Sequence, residues 1–156
     1  MNISENYIET KRMIGKWHSK RVIIDKMSGN NFSYHGEMCI SFASIPNFEK
    51  VQPRSKPYIS LDLREEGFLI SKDKEYRFSQ KYYLRLFTKR FDVLFKNKLP
   101  FFSMNRFVKL QKIDHQCNLD HYLGQIITIN KFSFLIKLNV SGPRKKYYLK
   151  AVYKRQ

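Results

Sequence analysis

Lys145-Lys146-Tyr147-Tyr148-Leu149-Lys150-Ala151-Val152-Tyr153-Lys154-Arg155 decides the fold. Read with a period of two, it sends Lys145, Tyr147, Leu149, Ala151, Tyr153 and Arg155 to one face of a strand. Lys146, Tyr148, Lys150, Val152 and Lys154 take the other, which reads as solvated. A closing strand whose sheltered face carries two cations and two tyrosines suits a barrel with a polar interior, not a plain hydrocarbon core.

The same alternation runs back through the chain. Trp17, Ser19, Arg21 and Ile23 share one face, and His18, Lys20, Val22 and Ile24 the other. Met27-Ser-Gly-Asn-Asn31 is a turn signal, followed by a strand around Phe32 to Phe42. Further strands are expected over Tyr58 to Leu63, Gly67 to Ser71, Tyr76 to Thr88, Phe91 to Phe95, Phe101 to Leu110, Asp120 to Asn130 and Phe132 to Val140. Turns fall at Ser71-Lys-Asp-Lys, Lys96-Asn-Lys and Ile129-Asn-Lys. Pro46, Pro53 and Pro57 bracket the longest expected loop. Ser4 is a plausible N-cap for a helix ending at Met13, so residues 1–14 form a helical lid on one domain spanning 1–156. About eight to ten sequential strands are best accommodated in an all-β, closed antiparallel barrel, because closure removes exposed sheet edges. A sandwich is the second architecture, and the period excludes a helical bundle.

Composition agrees. The 156 residues include 13 Phe and 10 Tyr, with 42% hydrophobic residues, which gives a folded β-rich chain and not a disordered one. The two cysteines, Cys39 and Cys117, make no disulfide framework. The polar start lacks a secretion signal, and no apolar run is long enough to cross a membrane as a helix. A cytoplasmic location is therefore expected, with export by a dedicated secretion system left open. The formal charge of +17 suits nucleic acid, an anionic membrane surface or another acidic partner. It is equally accounted for by a composition rich in Lys, Asn, Ile, Phe and Tyr.

Ile14-Gly15-x-Trp17 resembles the Gly-x-Trp opening of the lipocalin-like (calycin) barrels. The whole chain resembles a family of small lipocalin-like proteins carried as a domain of unknown function. Its motifs appear at Gly15, Trp17 and Arg21, at Gly36 and Phe42, and at Glu65 and Gly67. They continue through His115-x-Cys117-x-x-Asp120-x-Tyr122, then Gly142-Pro143-x-Lys145-x-Tyr147, and end at Tyr153 and Arg155. The resemblance implies the barrel fold, with Trp17 at its base covered by Arg155, a guanidinium stacked on an indole. It implies no activity. Two departures stand out. Asn97 to Phe102 lacks the family's Asp-Gly turn and its histidine, which Phe102 replaces, and Lys146 stands where the family has Asp.

Alternation makes Arg21, Glu65, Asp120, Tyr122, Lys145, Tyr147 and Tyr153 interior. Buried charges need partners, and with Arg155, which shares the sheltered face, three cations against two carboxylates leave one for an anionic ligand. The expected function is thus the binding of a small anionic molecule by Arg21, Glu65, His115, Asp120, Tyr122, Lys145 and Tyr147, with no catalytic residue, metal or cofactor. The structural alternative is a closed pair of salt bridges, Arg21–Glu65 and Lys145–Asp120, that only fills the barrel. An enzyme using His115, Cys117 and Asp120 is another reading, since residues two apart on a strand share a face. In a third, the outer surface binds nucleic acid, with Tyr82, Tyr83, Phe101 and Phe102 stacking bases among Lys81, Arg85, Lys89, Arg90 and Arg106.

Overall fold

The computed structural model describes residues 10–43, 59–106 and 108–156. Ten antiparallel strands follow one another: β1 (Gly15–Asp25), β2 (Asn31–Phe42), β3 (Ile59–Ser71), β4 (Lys74–Leu86), β5 (Arg90–Phe95), β6 (Pro100–Asn105), β7 (Leu110–Cys117), β8 (Asp120–Asn130), β9 (Ser133–Gly142) and β10 (Lys145–Arg155). One sheet in the order β6-β5-β4-β3-β2-β1-β10-β9-β8-β7 contains them all. The first and last strands of the chain, β1 and β10, pair in the middle of the sheet, in register from Trp17 opposite Arg155 to Asp25 opposite Tyr147. The result is an antiparallel barrel, closed except along the β6–β7 seam. Across that seam the Asn105 amide donates to Oε1 of Gln111 at 3.0 Å.

The expected helix from Ser4 lies mostly outside the described residues, and so does the loop marked by Pro46, Pro53 and Pro57. Residues 10–13 are helical and pack on the barrel base. Chain direction then changes at Gly15, whose φ of +128° is accessible to glycine and costly for other residues. The Trp17 indole donates to the Met13 carbonyl at 3.0 Å. The predicted stack of Arg155 on Trp17 is replaced by another closure. Arg155 sits opposite Trp17, but its guanidinium donates to the carbonyls of Arg12 and Ile14. Carbonyls at a helix end lack partners within the helix, and a cation satisfies both their hydrogen bonds and the negative end of the helix dipole. The indole meets Phe134 edge-on instead, at 5.4 Å between centroids.

Three strand expectations change. The segments expected from Tyr58 and from Gly67 join, over the described residues Ile59–Ser71, in one strand, β3, because the charged run between them keeps the alternation. Glu65 turns inward while Arg64 and Glu66 stay exposed. Phe101 to Leu110 is two strands. The break is held by Arg106, whose amide donates to the Lys89 carbonyl at 2.9 Å and whose guanidinium reaches the Phe87 carbonyl at 2.7 Å. His115 and Cys117, which lie between the strands expected at Phe101 to Leu110 and Asp120 to Asn130, belong to β7, and the turn into β8 uses Asn118 at φ +54°.

The hydrophobic core gathers around Trp17. Trp17, Met38, Ile40, Leu61, Leu84, Leu86, Val93, Ala151 and Tyr153 form it, with Leu61 and Leu86 fully buried. Burying each such large side chain stabilises the fold by roughly 1.5–3 kcal/mol.

Candidate functional site

The barrel also encloses a cavity of about 1020 Å³, whose walls include Trp17, Met38, Ile40, Leu84 and Val93 of this core. Inward positions of all ten strands line it. They are mostly aliphatic and aromatic, with two polar sets at different depths.

The deep set centres on Glu65, of which 1% is exposed. Its carboxylate pairs with the Arg21 guanidinium and accepts hydrogen bonds from Ser19 Oγ at 2.7 Å and Gln80 Nε2 at 2.9 Å. Arg21 also donates to the Tyr153 hydroxyl at 3.0 Å, and Tyr82 donates to Gln80 at 3.2 Å. Rings flank the guanidinium: Tyr34 lies 4.7 Å and Phe78 5.4 Å from it. The Tyr34 ring fits because β2 and β3 place Gly36 opposite Gly67: a Cβ on Gly36 would lie 2.1 Å from the Tyr34 hydroxyl, and one on Gly67 2.8 Å from its ring and closer still to the His35 carbonyl. Burial pushes the Tyr82 hydroxyl up to about 12 and raises Tyr153 as well. The Arg21 pKa also rises, since the neighbouring Tyr153 and Glu65 outweigh the opposing cost of burial.

The shallow set lies at the opposite end from Trp17. Lys145 donates to Oδ2 of Asp120 at 2.7 Å and to the Tyr122 hydroxyl at 3.1 Å. Those hydrogen bonds raise the lysine pKa, Asp120 contributing most. Tyr147, half-buried two residues on, has a pKa raised by desolvation. His115 sits opposite Tyr122 on the neighbouring strand, 5.6 Å from the Phe101 ring and 6.2 Å from that of Tyr122.

The residues expected to be interior thus separate into a deep group, Arg21, Glu65 and Tyr153, and a rim group, Lys145, Asp120, Tyr122, Tyr147 and His115. Both predicted salt bridges are formed. The expected surplus cation does not arise from these residues, since Arg155 is engaged by carbonyls at the base. The cavity is nevertheless cationic: among the described residues, seven lysines and arginines line it against two carboxylates, Asp25 and Glu65.

The proposed Cys117–His115 pair makes no hydrogen bond, and His115 has ring contacts instead. Among the described residues no three His, Cys, Asp or Glu side chains gather as a metal site. Tyr82, Phe101 and Phe102, expected as base-stacking platforms, line the cavity. Tyr83 alone of that group faces outward, with Lys81 4.6 Å from its ring. Sequence reasoning missed Ser19 as a partner of Glu65, although it shares the phase of Arg21. It also missed Gln80, which lies directly opposite Glu65 in the β3–β4 register. Phe101 enters the cavity because the β5–β6 register slips between Val93 and Leu94. An irregular ladder of this kind re-aims a side chain without leaving a periodic signal.

Fold and interior together define a nearly closed, ten-stranded antiparallel barrel built around a ligand-sized space. Residues 13–155 match the family of unknown function DUF6314, and the chain belongs to that family. No curated protein matches it. Among solved structures it is similar to the S-type phycobiliprotein lyase CPES from Guillardia theta, with 11% identity, a TM-score of 0.67 and coverage of 100% of this chain and 93% of that one. It is also similar to a protein of unknown function from the DUF3598 family of Nostoc punctiforme, with 9% identity, a TM-score of 0.51 and coverage of 94% of this chain and 48% of that one. A redesigned β-barrel, mFAP0, bound to DFHBI, shares 14% identity at a TM-score of 0.45, covering 92% of this chain and 99% of that one. At these identities the likeness is one of fold.

Proposed function

We propose that this protein binds a small amphipathic anion inside the barrel and performs no chemistry on it. The observation that carries the reading is the cavity: about 1020 Å³, walled mainly by hydrocarbon and rings, and lined by more cations than carboxylates. Ligand pockets generally span roughly 300–1,000 Å³, so a molecule of several rings or a long chain fits. Low-dielectric walls focus the field of the lining cations on an entering anion.

The two polar sets divide the work. Arg21 and Glu65 neutralise each other and fix the deep wall, leaving the Tyr82 and Tyr153 hydroxyls to meet polar atoms on the ligand body. At the rim, Lys145 receives the anionic group. An ammonium has three donors, of which Asp120 and Tyr122 use two. The third is available to the ligand, with the Tyr147 hydroxyl two residues away. Asp120 holds the ammonium in place, and His115 backs the Tyr122 ring.

The test uses a matched pair of fluorescent probes, anilinonaphthalene sulfonate and its uncharged parent anilinonaphthalene. The expected result is saturable binding of one probe per chain, with the sulfonate held more tightly. Lys145→Met should weaken the sulfonate by roughly 10- to 100-fold, the worth of a charged hydrogen bond, and leave the neutral probe nearly unchanged. Absence of saturable binding, or equal affinity for both probes in both proteins, would remove the proposal. If Lys145→Met unfolds the chain, the lysine serves structure instead. Native mass spectrometry of protein purified from its source would reveal a retained ligand directly.

A further inference from the structure

Charge on the outside of the barrel is sorted by side. On β3, β4 and β5 opposite charges are mixed and paired, as in Asp62 with Lys81 at 3.4 Å and Asp92 with Arg90 at 3.3 Å. On β8, β9, β10 and β1 the outward positions hold no Asp or Glu. The nearest carboxylates flank this arc and are already engaged: Glu37 with Lys16 and Asp114 with His121.

Strand register aligns the side chains of the arc into rows. Val22, Lys150, Lys137 and Gln125 lie side by side in one. On one flank runs Lys20, Val152, Leu135 and Ile127, and on the other Ile24, Tyr148, Asn139 and Leu123. A row with two central lysines is thus bordered by a largely aliphatic row and by one whose ends, Ile24 and Leu123, are aliphatic. Val22 is 51% exposed, Leu123 43% and Ile24 39%, well beyond what a fully packed core residue shows. Lys150 stands directly opposite Lys137 on the adjacent strand, a placement that costs stability because like charges face each other. Among the described residues, none of Lys20, Lys137, Lys146, Lys150 and Lys154 forms an ion pair. An anionic partner would relieve that repulsion.

We propose that this arc docks on the surface of an anionic lipid bilayer. Lysines meet headgroup phosphates and carboxylates while the flanking aliphatics enter the boundary of the acyl chains, the division seen in amphipathic elements that lie on membranes. A nucleic acid would engage the lysines but leave the flanking aliphatics unused, and Tyr148 is the single aromatic in these rows to stack on a base. A second copy of the chain would set the same lysines against themselves, as a two-fold interface requires.

The experiment sediments the full chain with vesicles of phosphatidylcholine, alone or containing roughly a quarter phosphatidylserine. Binding is expected only to the anionic vesicles and should weaken with salt. Lys137→Gln with Lys150→Gln should lower partitioning about 25-fold, near fivefold for each lysine at an anionic surface. Val22→Ser with Leu123→Ser should lower it too, while leaving its salt dependence in place. Arg64→Gln with Arg77→Gln, on the mixed-charge side, should change nothing, and melting curves establish that each variant is folded. Equal binding to both vesicle types, no binding, or indifference to either arc variant overturns the proposal. So does binding of a DNA duplex that tracks Lys137 and Lys150 without any vesicle binding.

Discussion

Gly142 and Asp120 share a space that leaves no room for a methyl group: a Cβ on Gly142 would lie 2.0 Å from Oδ1 of Asp120. The glycine, at the end of β9, is opposite Lys145 in the ladder. Its missing side chain is what lets the Asp120 carboxylate reach the ammonium.

Gly142→Ala should therefore push Asp120 off Lys145. The expected cost is about 1–3 kcal/mol, typical of forced overpacking, read from urea denaturation midpoints. The same substitution in an Asp120→Ala background should cost little, since the clash is gone. Additive costs in the double variant would show that Gly142 acts through something other than Asp120.

The deep pair responds differently to losing one member than to losing both. Glu65→Ala leaves the Arg21 guanidinium buried without its counter-ion, and a loss of about 3–5 kcal/mol is expected. Arg21→Met combined with Glu65→Leu removes the charge and fills the space, and should return most of that stability. A Glu65→Ala protein as stable as the parent would mean that solvent reaches the pair, contrary to the burial of both side chains.

What was legible in the sequence follows from periodicity. The phase of β10 was readable because Lys146, Lys150 and Lys154 mark the solvated face, and the inward placement of Arg21 followed from Trp17. The partnerships Arg21–Glu65 and Lys145–Asp120 were foreseen from charge matching. Glu65 itself sat where three charged residues in succession looked like a strand break, because composition cannot tell an inward carboxylate with three donors from a loop. The Arg155 contacts were hidden because backbone carbonyls at a helix end carry no sequence signature. Phe101 and the β6–β7 break depend on a register slip and on Arg106 reaching main-chain oxygens, neither of which has a period. The sorting of outward charge was equally invisible, since it arises only when distant strands are set side by side.

The seam between β6 and β7 should be the first part of the barrel to open. Each of these strands is paired along one edge, and Phe101 bridges them through ring contacts with His115 and Tyr122 at 5.6 and 5.5 Å. Amides of β6 and β7 should exchange with solvent sooner than those shared by β1 and β10, as expected where fewer buried contacts oppose local opening. Phe101→Ala should widen that difference and speed both entry and release of a fluorescent cavity ligand. Uniform protection around the barrel, unaltered by Phe101→Ala, would argue that the seam is as firm as the paired strands.

High pH should unfold the protein through its interior phenols. Tyr82 is pushed up to about 12 by burial, and desolvation also raises Tyr147 and Tyr153. Between roughly pH 10, where an unfolded tyrosine loses its proton, and the higher folded values, the unfolded chain binds fewer protons than the native one. Stability is then complete below pH 10 and falls as pH rises, by about 1.4 kcal/mol per unit for each such group. Tyrosinate absorbance should show a late-titrating class whose appearance coincides with loss of the β-sheet circular dichroism signal. Tyr82→Phe removes one of those penalties and should move the alkaline midpoint upward, because phenylalanine keeps the ring while giving up only the hydroxyl bond to Gln80. If all 10 tyrosines ionised together near pH 10 with the sheet intact, the phenols would have to be open to water and the barrel wall far looser than its packing indicates.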